Sequence, residues 1–251
     1  MVKATKMPLQ SRPLLGQIAI ITGASRGIGR AIALRLAQDG VATVLAARNE
    51  QALLEVAQMV HTGGGTSLVV PTDVTDDQQL AVLVDRTLAR YGHIDILVNN
   101  AGGGTPRTPI TKARLSDWEW TLRVNLWATM VLSKLVLPGM IERRQGTIIN
   151  ICSLASITGK AGEAAYAAAK FGVRGFTQSL FDEVHEHGIK VSSVFPGYVD
   201  TAMIPPNRRV DRTKMLHPED VAEAVYNIVT SSARVCPLEI VLHPQYDPLR
   251  T

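Results

Sequence analysis

Cysteine is almost missing from this chain. Cys152 and Cys236 are the two among 251 residues, which excludes a disulfide framework and suits a reducing cytoplasm. Charged residues reach only 19% and aromatics 5%, while hydrophobic residues make up 46%; with 20 Gly and 13 Pro scattered along the chain, neither a disordered nor a collagen-like polymer fits. No uninterrupted apolar run approaches the roughly 18 residues of a membrane span. The longest runs, such as Ile18 to Ile21 and Val41 to Ala47, are of strand length, so a soluble protein without membrane partners is expected. Residues 1–14 lack an apolar h-region and a small-residue cleavage site, which argues against a secretory signal. They also lack acid: Lys3, Lys6 and Arg12 account for three of the four surplus positive charges. The remainder is nearly neutral, so the basic balance does not point to nucleic acid, whose phosphate backbone needs clustered Lys and Arg. No His, Cys, Asp and Glu grouping has metal-ligand spacing, and no metal is expected.

What the chain does have is alternation. Apolar, β-branched runs recur at Gln17 to Thr22, Ala42 to Ala47, Ser67 to Pro71, Ile94 to Asn99, Thr147 to Ile151, Lys190 to Phe195 and Leu238 to Leu242. Segments of helical period lie between them, near 27–39, 50–61, 76–91, 115–144, 163–187 and 218–231, several led by Asp, Asn or Ser caps. Strands that read as continuous apolar runs are buried on both faces, as in a parallel sheet covered by helices. The expectation is an α/β fold, a doubly wound sheet of seven parallel strands with helices on both faces. Nothing divides it, so residues 1–14 read as a basic tail and 15–251 as one domain.

The first strand runs into Thr22-Gly23-Ala24-Ser25-Arg26-Gly27-Ile28-Gly29, and a helical segment follows. Glycines at this spacing let the backbone turn tightly and bring its N–H groups, at the positive helix end, against a pyrophosphate. A turn that merely packs helix on strand has the same composition, but the place is the one where a Rossmann-like sheet binds its dinucleotide. Farther along, Tyr166 and Lys170 are four apart on one helix face. Ser153 lies just past a strand, at the end where open α/β sheets place ligands. Asn125 falls in mid-helix. Taken singly, Asn125 reads as a solvated polar position and Ser153 as a strand-end cap.

Together these residues resemble the short-chain dehydrogenase/reductase superfamily over nearly the whole chain from about residue 14. Thr22 to Gly29 is similar to the family's phosphate turn, Asp73 in Thr72-Asp73-Val74 to its adenine-side Asp, and Asn99 to Gly102 to its Asn-Asn-Ala-Gly. The resemblance implies a catalytic tetrad of Asn125, Ser153, Tyr166 and Lys170. It further implies cofactor contacts from Gly23, Ser25, Arg26, Gly27, Ile28, Gly29, Asp73, Val74, Asn100, Ala101, Gly102, Tyr166, Lys170, Pro196, Gly197, Val199 and Thr201. In such a set Tyr166 would give or take the proton at a carbonyl or alcohol oxygen and Ser153 would hold that oxygen. Lys170 would favour the phenolate and grip the nicotinamide ribose, and Asn125, through a kinked helix, would anchor a water of a proton relay. Cys152, where relatives often have Ser, reads as a small buried residue. The intact tetrad argues against the alternative of a non-catalytic dinucleotide sensor.

Substrate and partners are less specified. Tyr166-Ala-Ala-Ala-Lys170 resembles bacterial ketoacyl-carrier-protein reductases, whereas Leu238-Glu239-Ile240-Val241-Leu242-His243-Pro244 is more like sepiapterin-type and hydroxy-acid dehydrogenase branches. A basic run of Arg208, Arg209, Arg212 and Lys214 behind Pro205 and Pro206 fits either an anionic substrate or a wet surface loop. At the end of the second strand, where NAD-dependent relatives place an Asp, this chain has Ala47, followed by Arg48 and Asn49. A guanidinium there can clamp a 2′-phosphate, with Arg26 as a second cation, or both can be solvated surface arginines. NADP(H) is the expected cofactor, ahead of NAD(H). Apolar residues on several faces of 115–144 and 163–187 imply a homodimer or homotetramer.

Overall fold

The computed structural model describes residues 13–204 and 210–250. Seven strands form one sheet: β1 (Ile18–Thr22), β2 (Ala42–Ala47), β3 (Ser67–Pro71), β4 (Ile96–Asn99), β5 (Gly146–Ile151), β6 (Ile189–Pro196) and β7 (Glu239–Leu242). Their order is β3-β2-β1-β4-β5-β6-β7, and each neighbouring pair is parallel. The helices are α1 (Gly27–Ala37), α2 (Glu50–Thr62), α3 (Asp77–Tyr91), α4 (Leu115–Leu122), α5 (Ala128–Arg143), α6 (Ala164–Val184) and α7 (Pro218–Thr230).

Side chains of a strand alternate between faces, and the burial follows that alternation. On β1, Ala19 and Ile21 pack with Ile32 and Leu36 of α1, Leu53 of α2 and Val225 of α7. Ile18 and Ile20 point the other way, toward Leu83 of α3, Leu132 of α5 and Leu180 of α6. This is the two-sided burial that continuous apolar strands require. After β3 the chain crosses back over β2 and β1 to form β4 on the far side of β1. The reversal opens a crevice at the carboxyl ends of β1 and β4, the place where doubly wound sheets take their ligands.

Two details differ from the sequence expectation. The fourth strand starts at Ile96 rather than Ile94; the buried Asp95 just before it accepts the N–H of Ile18 at 2.9 Å through Oδ2, with His93 Nε2 at 3.1 Å from the same oxygen. The helical segment read over 115–144 is not one regular helix, in keeping with the kink that the resemblance implied at Asn125: between α4 and α5, Arg123–Trp127 winds as a π-helical turn, and Ala128 N–H donates to Arg123 O, five residues back. By length and mean hydropathy the stretch Leu115–Arg143 could cross a bilayer, yet Ala128, Leu132, Val136 and Met140 are buried against the sheet, as core helices of globular proteins are. The tail residues Lys3, Lys6 and Arg12 lie outside the described residues.

Candidate active site

The turn from Thr22 to Gly29 is fixed from both sides of the crevice. Thr22 Oγ1 accepts the N–H groups of Asn100 at 3.0 Å and Ala101 at 2.9 Å. Asn100 Nδ2 returns a bond to Thr22 O at 2.8 Å. Gly23 and Gly27 have φ of +65° and +55°, the left-handed region that a Cβ disfavours. A Cβ on Gly29 would stand 2.3 Å from Gly23 O and 2.6 Å from Asn100 Nδ2. The glycines therefore serve a close crossing, and the turn leads into the N-terminus of α1, where Arg26 is the residue before the helix and no acid occupies the first turn. This backbone fits a diphosphate.

At the end of β2, Ala47 accepts the N–H of Thr72 at 2.9 Å, and Arg48 and Asn49 follow on the surface. Asn49 is already employed: its side chain accepts the N–H of Ala52 at 3.0 Å and caps α2. Arg26 and Arg48 are exposed and have no carboxylate partner among the described residues, so both are available to an anion. Asp73 is turned into its own loop, where Oδ1 accepts the N–H and hydroxyl of Thr75 at 2.9 and 2.8 Å, and Val74 beside it is buried.

On the other side of the crevice lies a cavity of about 760 Å³ that reaches the turn at Ile28 and is walled by Asn100, Gly102, Asn125, Ser153, Tyr166, Lys170, Pro196, Gly197, Val199 and Thr201. Lys170 is 5% exposed. Its Nζ donates to Ile151 O at 2.9 Å and stands 5.8 Å from the centre of the Tyr166 ring, the spacing set by four residues of α6. Ser153 does cap the short turn Leu154–Ser156, its Oγ accepting Ala155 N–H at 3.1 Å. Because that bond uses only a lone pair, the hydroxyl hydrogen remains able to donate into the cavity. Asn125 is not solvated: it is 1% exposed, sits in the π-helical turn, and its Nδ2 donates to Gly103 O at 2.6 Å and Thr121 O at 2.9 Å. Gly102 fits between Asn125 and Lys170, since a Cβ there would lie 2.7 Å from Asn125 Oδ1 and 3.6 Å from Lys170 Nζ.

Pro196 and Gly197 end β6 against the last strand. Gly197 N–H donates to Leu242 O at 2.8 Å, and its missing Cβ would meet Pro244 at 2.9 Å. Thr201 comes next to the phosphate turn, with Cγ2 at 3.2 Å from a Cβ built on Gly27. Burial pushes the Cys152 thiol up, against the opposing charge of Lys170, so it is no poised nucleophile. Two members of the basic run are paired within the protein: Arg212 pairs with Asp200 and donates to Ile204 O, and Lys214 pairs with Asp211 at 3.4 Å. Pro205, Pro206, Arg208 and Arg209 lie outside the described residues. Arg107 and Glu163 meet at the cavity wall although they are 56 positions apart and carry no local signal in the sequence.

Residues 17–211 match the family model described as short chain dehydrogenase. An uncharacterized oxidoreductase of Staphylococcus aureus (strain MRSA252) is 37% identical over 231 residues, covering 92% of this chain and 98% of the relative. A second, from Staphylococcus epidermidis (strain ATCC 12228 / FDA PCI 1200), is 36% identical over 228 residues, 91% of this chain and 97% of its own. Among solved structures, a metagenomic short-chain oxidoreductase in complex with NADP superposes with a TM-score of 0.83 at 33% identity, covering 94% of this chain and all of that one. The chain belongs to the short-chain dehydrogenase family. It is thus an oxidoreductase, an enzyme of a family that works with a nicotinamide cofactor on small-molecule substrates.

Proposed function

We propose that this protein is an NADP(H)-dependent oxidoreductase that moves a hydride between the nicotinamide and a carbonyl or secondary alcohol, with Tyr166 as general acid and base. The observation that carries this reading is the meeting of Ser153, Tyr166, Lys170 and Asn125 in one cavity that reaches the glycine turn. A bound nicotinamide supplies or accepts the hydride at its C4. In reduction Ser153 donates a hydrogen bond to the carbonyl oxygen, and Tyr166 OH delivers a proton to that oxygen as its π electrons become a lone pair. Lys170, held by Ile151 O, places a positive charge beside the phenol and favours negative charge on the oxygen that has lost its proton. Asn125, fixed by Gly103 and Thr121, holds the loop after β4 in register with this set. Reversal of the same steps oxidises an alcohol.

Arg48 and Arg26 support NADP(H) over NAD(H): both cations lack carboxylate partners among the described residues, and no acid stands at Ala47 to repel a 2′-phosphate. The remaining proposed contacts are Gly23, Ser25, Gly27, Ile28, Gly29, Asn49, Asp73 and Val74 on the adenosine side, and Asn100, Ala101, Gly102, Pro196, Gly197, Val199 and Thr201 on the nicotinamide side. A cytoplasmic homodimer or homotetramer is the assembly we assign. It is supported by apolar side chains left exposed along α4, the π-helical turn and α6, namely Trp120, Leu122, Trp127 and Phe171, which pairing across a two-fold would bury. Light scattering at micromolar protein should give a dimer or larger, and a monomer contradicts it. The reaction itself is tested by following NADPH absorbance over a panel of ketones, aldehydes and 3-ketoacyl thioesters; no oxidation with any member defeats the reading.

A further inference from the structure

Two irregular segments form opposite banks of the cavity. One is the loop after β4, which contributes Gly104, Pro106, Arg107 and Thr108; the other leads from Ser153 into α6 and contributes Lys160, Gly162 and Glu163. The banks meet where Arg107 and Thr108 face Gly162 and Glu163. Arg107 Nε and Nη2 both reach Glu163 Oε1 at 2.5 Å, and the backbone N–H of Thr108 donates to Gly162 O at 3.1 Å. Gly162 has φ of +81°, and a Cβ there would stand 3.2 Å from Arg107 Cβ and 3.3 Å from Thr108 N, so the crossing is a close one that a side chain would spread. Glu163 makes no capping bond to its own helix; its carboxylate is turned across to Arg107. Glu163 is three residues ahead of Tyr166, and the same loop lies on the Tyr166 ring, 3.8 Å from a Cβ built on Gly104.

Building on the reductase reading above, we propose that the Arg107–Glu163 bridge is a specificity determinant: it ties the two banks together, bounds the cavity beside the start of α6, and excludes carbonyl compounds whose substituents extend past it. A single pair with side chains 47% and 22% exposed holds only weakly in water. The bridge is therefore a barrier that opens at modest cost, and one that salt loosens. Breaking it relaxes the size limit without removing any group that touches the reacting oxygen.

The test measures kcat/KM with NADPH for a homologous series of ketones of increasing bulk, in the unmodified protein, in Arg107→Ala, in Glu163→Gln and in the charge exchange Arg107→Glu with Glu163→Arg. Both single variants should raise the ratio for the largest over the smallest reduced ketone about two- to fivefold, the most that opening a partly exposed ion pair costs. The exchange should bring the ratio back toward the unmodified value, and high salt should move the unmodified protein in the direction of the single variants. An unmoved ratio in both single variants overturns the proposal, as does an exchange that behaves like them, which would mean that the side chains act singly. Failure of the unmodified protein to reduce any carbonyl would instead defeat the reductase reading, so the two failures are distinguishable.

Discussion

Replacing Gly29 by Ala tests the phosphate turn without touching a polar group. The added Cβ would lie 2.3 Å from Gly23 O, 2.6 Å from Asn100 Nδ2 and 2.8 Å from Gly23 C, all inside any tolerable contact. Relief requires a shift of about an ångström, and the neighbours are tied down by Asn100 Nδ2 bonds to Thr22 O at 2.8 Å and Gly23 O at 3.4 Å. Losing one such bond costs about 1 kcal/mol, and overpacking adds about 1–3 kcal/mol. A total of about 2–4 kcal/mol corresponds to a fall in Tm of roughly 5–15 °C for a domain of this size. The displaced amides should also weaken NADPH binding at least about tenfold, read by energy transfer from tryptophan to the bound nicotinamide. Gly175→Ala is the control. Nothing lies within 4 Å of its Cβ position and it sits inside α6, so Ala should stabilise by about 0.5–1 kcal/mol. Gly29→Ala with Tm and NADPH affinity both unchanged would refute the close-crossing argument.

Two other perturbations have definite signs. Ala47→Asp combined with Arg48→Leu removes a cation and adds an acid at the end of β2, and should narrow or reverse a preference for NADPH over NADH in kcat/KM; equal efficiency with NADH in the unmodified protein contradicts the assignment. The Arg174 guanidinium, bonded twice at 2.8 Å, holds the Glu239 carboxyl below its ordinary range, with Gln178 assisting. The depressed folded value means this pair stabilises above the ordinary glutamate range and is lost as pH falls through the folded one. Glu239→Gln should therefore be less stable than the unmodified protein at neutral pH, with the gap closing in acid; a gap independent of pH contradicts it.

The parallel sheet was legible because its strands have to be apolar on both faces, as Ile18 to Ile21 show, and the glycine turn was legible because only backbone can approach so closely at Gly29. Tyr166 and Lys170 could be paired from helical period alone. The π-helical turn at Asn125 could not, since 115–144 carries apolar residues on several faces, which hides the shift in phase that one extra residue makes as it turns Asn125 inward to Gly103. Asp95 was hidden in the same way: a carboxylate in a strand-like run looks like a strand residue until its partner Ile18, 77 positions away, is known. Asp211 could be read as a local counter-charge to the basic run, whereas the pairing of Arg212 with Asp200, 12 positions away, could not, since Asp200 does not distinguish itself from other surface acids. The Arg107–Glu163 bridge depends on the register of two irregular loops, which no periodicity describes.

In the proposed reaction Tyr166 transfers the proton while the glycine turn and Lys170 hold the cofactor. The most direct test compares Tyr166→Phe with the unmodified protein in two measurements on the same samples: NADPH dissociation constant by fluorescence, and turnover with the best ketone of the panel. Affinity should stay within a few-fold and turnover should fall by about 10² to 10⁴, the worth of a positioned acid or base. Turnover like that of the unmodified protein would contradict the proposed reaction.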